Sequence, residues 1–363
     1  MGISRKVAPN HVEFDGLHDL RFERLLELGI VSCRAGGERV AQRRSSNHNS
    51  GRGRDSSIHP VVIYPFSHPK DTVHLVRLYD FLKGLDPKLY SRPLTVVNRQ
   101  TIDNVKRNPA LSREEQRSAS DSFDRFFQET ISPISDVCEA WCVDSCQMWL
   151  TGLGQASDGN EKVGAVYWLI PGDFYYATAN GRNVLQKMSD IPLTVYKNQP
   201  RVDLVLGEIE VDLNSAKQLI DTYGTYGLLY NWFPSEGQAI RRLCDKPRTE
   251  FFAISDSFLK HALNRRWYAY EQTIVLLLHA LAGQEHHRGL RNVKLGKIND
   301  DEAGRSRLDG AMQQVERTER VLKLYWRERH IDDQDWREKF RMLDEQSEKI
   351  RSAAMVIFEQ ILS

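Results

Sequence analysis

Gly164-Ala-Val-Tyr-Trp-Leu-Ile-Pro-Gly-Asp173 is the stretch that decides the fold. Its apolar, β-favouring run stops at Pro171-Gly172 and is followed at once by a single carboxylate, Asp173. An unbroken apolar run bounded by Pro and Gly is the pattern of a strand buried on both faces, as in a parallel sheet covered by helices. Open sheets of that kind bind ligands at the carboxyl ends of their strands, and Asp173 falls at such an end. The competing reading makes Pro171-Gly172 a plain turn and Asp173 the cap of the next helix. An earlier strand of the same kind, Val61-Val-Ile-Tyr-Pro-Phe66, favours the site.

With 363 residues the chain exceeds one typical core, and 40% hydrophobic residues are ample to fill one large domain with appendages. Fifty Lys and Arg against 49 Asp and Glu leave a net charge of +1, which removes the electrostatic case for a nucleic-acid partner. The sequence has no apolar run of the roughly 18 residues needed to cross a bilayer, and Met1-Gly-Ile-Ser-Arg-Lys6 has no signal-peptide core. A cytoplasmic, soluble protein is expected. Five cysteines fit free thiols in a reducing compartment. Cys138, Cys142 and Cys146 are spaced by four; on one helix the outer pair would stand about 12 Å apart, too far to share a metal. They read instead as small apolar residues beside Ile134, Trp141 and Met148.

The chain divides into three parts. Residues 1–58 hold one short amphipathic helix, Leu20 to Ile30, and a polar Arg/Ser/Gly linker with almost nothing apolar to offset the entropy of ordering. Residues 59–265 alternate strand and helix: Val61 to Phe66, a helix through Val76 and Leu82, Pro93 to Asn98, a helical segment near Phe123, then 133–150, 163–170, 181–188, 202–209 and 249–254. That is the order of an α/β domain with a mainly parallel sheet flanked by helices. Residues 266–363 are helical, with a buried apolar helix over 267–282 and, from about 305, two long charged amphipathic helices. One carries Leu308, Met312, Val315, Leu322 and Tyr325; the other carries Trp336, Phe340, Leu343, Ile350, Ala354 and Ile357. Asp332-Asp-Gln-Asp335 supplies the turn of a C-terminal α-helical hairpin. Its charged fringe resembles that of paired helices, so a homodimer through it is expected.

The phosphate-binding fingerprints G-x-G-x-x-G and G-x-x-x-x-G-K-[ST] are absent, as is the G-x-S-x-G elbow. Val61-Val-Ile-Tyr-Pro-Phe-Ser-His68, Leu94-Thr-Val-Val-Asn98 and Val166-Tyr-Trp-Leu-Ile-Pro-Gly-Asp173 together resemble the first strand, second strand and acidic strand end of GT-A-fold nucleotide-sugar glycosyltransferases. The resemblance covers roughly residues 60–260. It implies that the first two strand ends, with Pro65, Phe66, Ser67, Asn98 and Arg99, cradle a nucleoside. It further implies that Asp173 binds the diphosphate and its divalent cation, Mn or Mg. Where the family has Asp-x-Asp, this chain has Pro171-Gly-Asp173, one carboxylate instead of two.

Sugar transfer from such a donor must stabilise a departing diphosphate, by a hard cation or by Lys and Arg alone. An inverting reaction also needs a carboxylate to take the acceptor's proton. Asp203-Leu-Val-Leu-Gly-Glu208 ends a strand in Glu208. Lys217 to Pro234 gathers Lys217, Asp221, Tyr223, two glycines and further aromatics. It reads either as an acceptor loop or as an aromatic core helix with glycine contacts. Lys246-Pro-Arg-Thr-Glu250 places Arg248 and Glu250 before another strand, a phosphate clamp beside a base or else a surface ion pair. His279, His286 and His287 read as a late metal ligand or as solvent-facing histidines. The leading function is transfer of a sugar from a nucleotide-diphosphate donor to a small acceptor. The alternatives are a sugar-phosphate nucleotidyltransferase, disfavoured because Phe66 leads into Ser67-His68-Pro69-Lys70 with no glycines, and a degenerate scaffold working through the hairpin.

Overall fold

The structure is a computed structural model that describes residues 57–64, 72–98, 112–140, 145–157, 164–197, 202–210, 220–245, 249–263, 289–298, 308–329 and 334–362. The 20–30 helix, the linker to residue 56, the 267–282 helix, the three late histidines, and Asp332 and Asp333 lie outside these residues.

Seven strands form one sheet: β1 (Ile58–Tyr64), β2 (Leu94–Asn98), β3 (Asp136–Ala140), β4 (Val166–Pro171), β5 (Leu204–Glu210), β6 (Phe252–Ser255) and β7 (Leu290–Lys297). Their order is β3-β2-β1-β4-β6-β5-β7. Only β6 runs against its neighbours; every other pairing is parallel. This is a mainly parallel α/β sheet, as the alternation of strand and helix implies. The antiparallel β6 brings the start of one strand to the edge where the others end.

The β4 run is apolar throughout because both its faces are covered, and all six of its residues are buried. Val61, Ile63, Tyr167 and Leu169 enter one core, and Val62, Tyr64, Trp168 and Ile170 enter the other. The second core is closed by α1 (Thr72–Lys83), α4 (Ala179–Met188) and α5 (Asp190–Lys197), through Leu75, Leu78, Val184, Leu185, Ile191 and Val195. The helices α2 (Arg113–Phe126) and α3 (Ser145–Ser157) flank β3, and α3 sends Met148, Trp149 and Leu153 into the first core. Reading Cys138 and Cys146 on a single helix is therefore corrected. Cys138 pairs in register with Val96 as part of β3, whereas Cys146 belongs to α3.

A π-helical turn (Ile220–Gly227), α6 (Leu228–Trp232) and α7 (Pro234–Leu243) form a ledge on the first core, and α8 (Asp256–Leu263) follows β6. The two long C-terminal helices, α9 (Leu308–Arg329) and α10 (Trp336–Leu362), pair and pack on that ledge. Phe233 meets the Tyr325 ring edge-on at 4.8 Å, and Trp232 meets Trp326 at 6.2 Å. The Trp232 indole N–H donates to Gln346 Oε1 at 3.0 Å, and the Tyr325 hydroxyl donates to Glu236 Oε1 at 3.1 Å. Lys323 joins the two helices by bridging Glu319 and Asp344. Val315, Leu322, Tyr325, Phe340, Leu343 and Ala354 are buried. These residues of the two apolar stripes are covered within the chain.

Candidate functional site

The parallel strands β1, β2, β4 and β5 end along one edge of the sheet, and β6 begins there. Tyr64, Asn98 and Pro171 are the last residues of β1, β2 and β4. Asn98 is buried and stands in register with Ala140. Immediately beyond β4, the Gly172 N–H donates to the Ile63 carbonyl at 2.7 Å, drawing the chain against β1. A Cβ at Gly172 would lie 2.8 Å from that carbonyl oxygen, so glycine is what allows the approach. Asp173 follows, half-buried at the rim.

The loop then closes on itself. The Tyr176 hydroxyl returns to donate to the Pro171 carbonyl at 2.6 Å, and the Tyr176 N–H donates to Phe174 O at 2.9 Å. Tyr176 is completely buried. Burial first, then the charges of Asp173 and Glu250, push its pKa well above the usual phenol value. Tyr176 therefore stays a neutral donor. Asp173 lies just past the end of β4 and Glu250 just before β6, which runs antiparallel beside β4, so both fall at the same edge of the sheet. Thr178, and not Asp173, caps the following helix, its Oγ1 accepting from the Gly181 N–H at 3.0 Å. The capping reading of Asp173 is thereby set aside.

Glu250 is carried by a tightly tied segment. The Thr249 hydroxyl donates to Gly207 O at 2.6 Å and accepts from the Phe251 N–H at 3.1 Å, while the Gly207 N–H donates to Phe251 O at 2.7 Å. Phe251 packs on Phe174 with ring centroids 5.0 Å apart, so an aromatic contact joins the two acidic segments.

Glu208 sits elsewhere. It is buried, its Oε1 accepts from the Asp245 N–H at 3.2 Å, and its Oε2 accepts from Asn292 Nδ2 at 2.5 Å. It ties β5 to β7 and to the end of α7. Beside it, burial first and then Glu208 and Asp245 push the Cys244 thiol up to about 12, so that thiol stays protonated.

Tyr223 is exposed on the π-helical turn. In the same turn a Cβ at Gly224 would stand 2.6 Å from Val315 Cγ2, so this glycine serves close packing against α9. Asp221 has its backbone in the turn and its side chain outside the described residues, and Pro65, Phe66, Ser67, Arg99, Lys217 and Arg248 lie wholly outside them. The structure thus brings Asp173, Glu250 and Asn98 to one edge and puts Glu208 among internal partners. Sequence reading did not single out Tyr176, Thr249 or His74. The aromatic run Phe174-Tyr175-Tyr176 directly after Asp173 hints at the first of them.

Among the described residues no three His, Cys, Asp or Glu side chains cluster closely enough to hold a metal by themselves. The single Asp173 carboxylate at the rim fits a hard divalent ion that takes one protein oxygen and completes its shell with phosphate oxygens and water. No helix among the described residues is long and apolar enough to cross a membrane.

The chain matches no protein-family model and no curated protein sequence. Among solved structures it is similar to a mycobacterial protein at 11% identity, with a TM-score of 0.48 over 74% of each chain. It is also similar to glucosyl-3-phosphoglycerate synthase from Mycobacterium tuberculosis, in complex with Mn2+, UDP and glucosyl-3-phosphoglycerate. There the identity is 13% and the TM-score 0.43, over 74% of this chain and 80% of that one. A third is the mannosyltransferase PcManGT from Pyrobaculum calidifontis in complex with GDP-Man and Mn2+, at 10% identity and a TM-score of 0.41, over 88% of this chain and 80% of that one.

Proposed function

We propose that the protein is a glycosyltransferase that moves a sugar from a nucleotide-diphosphate donor to a small acceptor. The observation that carries this reading is the placing of Asp173 and Glu250 at the sheet edge where β1, β2 and β4 end, their segments joined by the Phe174–Phe251 ring contact. The donor's nucleoside lies over the ends of β1 and β2, with Asn98, Arg99 and the segment Pro65, Phe66 and Ser67 as its cradle. Asp173 holds the diphosphate end, directly or through a Mn or Mg ion. Bound there, the ion would supply positive charge to the departing diphosphate. Lys217 and Arg248 are the side chains proposed to neutralise the remaining phosphate charge.

In the reaction, an acceptor hydroxyl oxygen bonds to the anomeric carbon as the bond from that carbon to the diphosphate breaks. A carboxylate takes the hydroxyl proton. Glu250 is the preferred base, because it lies at the entry to β6 on the same sheet edge, between Thr249 and Phe251, whose hydrogen bonds fix the segment. Glu208 is disfavoured, since both its oxygens already accept hydrogen bonds. Asp221 and the exposed Tyr223 are proposed for the acceptor side, where an open aromatic face stacks on a sugar ring.

The test is release of nucleoside diphosphate from a panel of UDP-, GDP- and ADP-sugars, with manganese, magnesium or a chelator. Donor turnover with at least one sugar is the expected result. No turnover with any donor, together with no binding of any nucleoside diphosphate, would overturn the reading.

A further inference from the structure

The loop from Gly172 to Thr178 is tied down mostly by its own residues. Tyr176 closes its inner half on Pro171. Thr178 closes its outer half, its N–H and Oγ1 both donating to the Tyr175 carbonyl, at 3.2 and 2.8 Å. Arg182 Nη1 donates to Ala177 O at 2.7 Å. These links shape the loop but do not set where its outer half stands relative to the strand ends.

His74 does. It lies in the first turn of α1, the helix that follows β1. Its Nδ1 accepts the Ala177 N–H at 3.1 Å across 103 residues of sequence. Its ring lies over Tyr175 with centroids 4.5 Å apart and planes tilted by 30°. A nitrogen that accepts is the unprotonated one, so the neutral ring carries its proton on Nε2. One side chain therefore combines a hydrogen bond and a ring contact on two residues of the acidic loop. Both come from the element next to the strand end where the nucleoside is proposed to sit.

We propose that His74 is a positioning residue that holds the Asp173 loop in the conformation that binds a diphosphate, an inference that rests on the glycosyltransferase reading. Nothing is transferred to or from His74. Its role is to keep the outer half of the loop docked on α1 while Tyr176 and Gly172 fix the inner half. Asp173 then meets a ligand without a further ordering cost.

Two substitutions in the full chain separate the hydrogen bond from the ring contact. His74→Phe keeps a ring over Tyr175 and removes the acceptor, whereas His74→Asn removes the ring and keeps an acceptor near the Nδ1 position. Binding is measured by calorimetry with UDP, GDP and ADP in the presence of manganese, and loop order by amide exchange at Ala177. His74→Phe is expected to weaken binding about five- to tenfold and to speed Ala177 exchange by a similar factor, the scale of one net hydrogen bond. The thermal midpoint should stay unchanged and His74→Asn should restore most of both effects. If His74→Phe binds like the unaltered chain, or His74→Asn fails as badly as His74→Phe, the proposal is overturned. An unaltered chain that binds none of the three nucleotides overturns the glycosyltransferase reading, and with it the ligand half of this proposal. The exchange measurement is read independently: an Ala177 amide indifferent to His74→Phe overturns the latch itself.

Discussion

The loop after β4 and the ledge over 220–243 are built from the same residue types, glycine, tyrosine, phenylalanine and proline, yet they are used in opposite ways. At the loop the glycines face backbone: Gly172 lies against the Ile63 carbonyl, and in the first turn of α4 a Cβ at Gly181 would overlap the Tyr175 carbonyl and Tyr176 Cα. In the ledge Gly224 faces a side chain, Val315 of the C-terminal hairpin. The loop's tyrosine bonds its own backbone and leaves carboxylates at the rim. The ledge's Trp232 and Phe233 are covered by Tyr325 and Trp326, while its Tyr223 stays exposed. Composition alone does not distinguish a site from a docking surface. What distinguishes them is whether a second element covers the aromatic face.

The largest expected effect falls on the ledge. Phe233→Ala removes a buried ring from between Leu229 and the hairpin aromatics and should cost about 4 kcal/mol of stability in urea unfolding, with nucleoside-diphosphate affinity unchanged. A loss of affinity as great as the loss of stability would break the separation between the two regions. A smaller pair of effects sharpens it. Gly181→Ala forces backbone to move and should cost about 3 kcal/mol, the upper part of the overpacking range. Gly224→Ala meets only the Val315 methyl, which has room to turn, and should cost about 1 to 2 kcal/mol. Chemical denaturation of the two variants ranks them, and the reverse order would mean that the hairpin, not the loop, is the stiffer partner.

Much of this architecture is written in the sequence where one periodicity dominates. β1, β2 and β4 are legible because buried parallel strands are continuous apolar runs, and the hairpin is legible because its stripes repeat at helical spacing over 22 and 27 residues. The strand β7 is not. Leu290-Arg-Asn-Val-Lys-Leu-Gly-Lys297 alternates poorly, since it pairs only with β5 and breaks register opposite Glu208 and Ile209, where Gly296 takes a positive φ of 102°. The strand β3 is hidden in a stretch that reads equally well as helix, because Cys138 and Cys146 fall in one four-residue spacing although one lies on a strand and the other on α3. At the site, Asp173 and Glu250 are legible as carboxylates at strand boundaries. That they share an edge is not, because it depends on β6 running antiparallel beside β4, which no local pattern encodes. Glu208 has the same signature in sequence, and only its partners Asp245 and Asn292 tell it apart.

Asp173 carries the central claim, and calorimetry of nucleoside diphosphate binding with manganese, on the unaltered chain and on Asp173→Ala, tests it most directly. The unaltered chain should bind at least one of UDP, GDP and ADP and gain about 2 to 3 kcal/mol of stability at a hundredfold excess over the dissociation constant. Asp173→Ala should keep its thermal midpoint, because a rim carboxylate that caps no helix contributes little to the core, and should show no binding heat. An Asp173→Ala protein that binds as tightly as the unaltered chain, or one that fails to fold, would contradict the account.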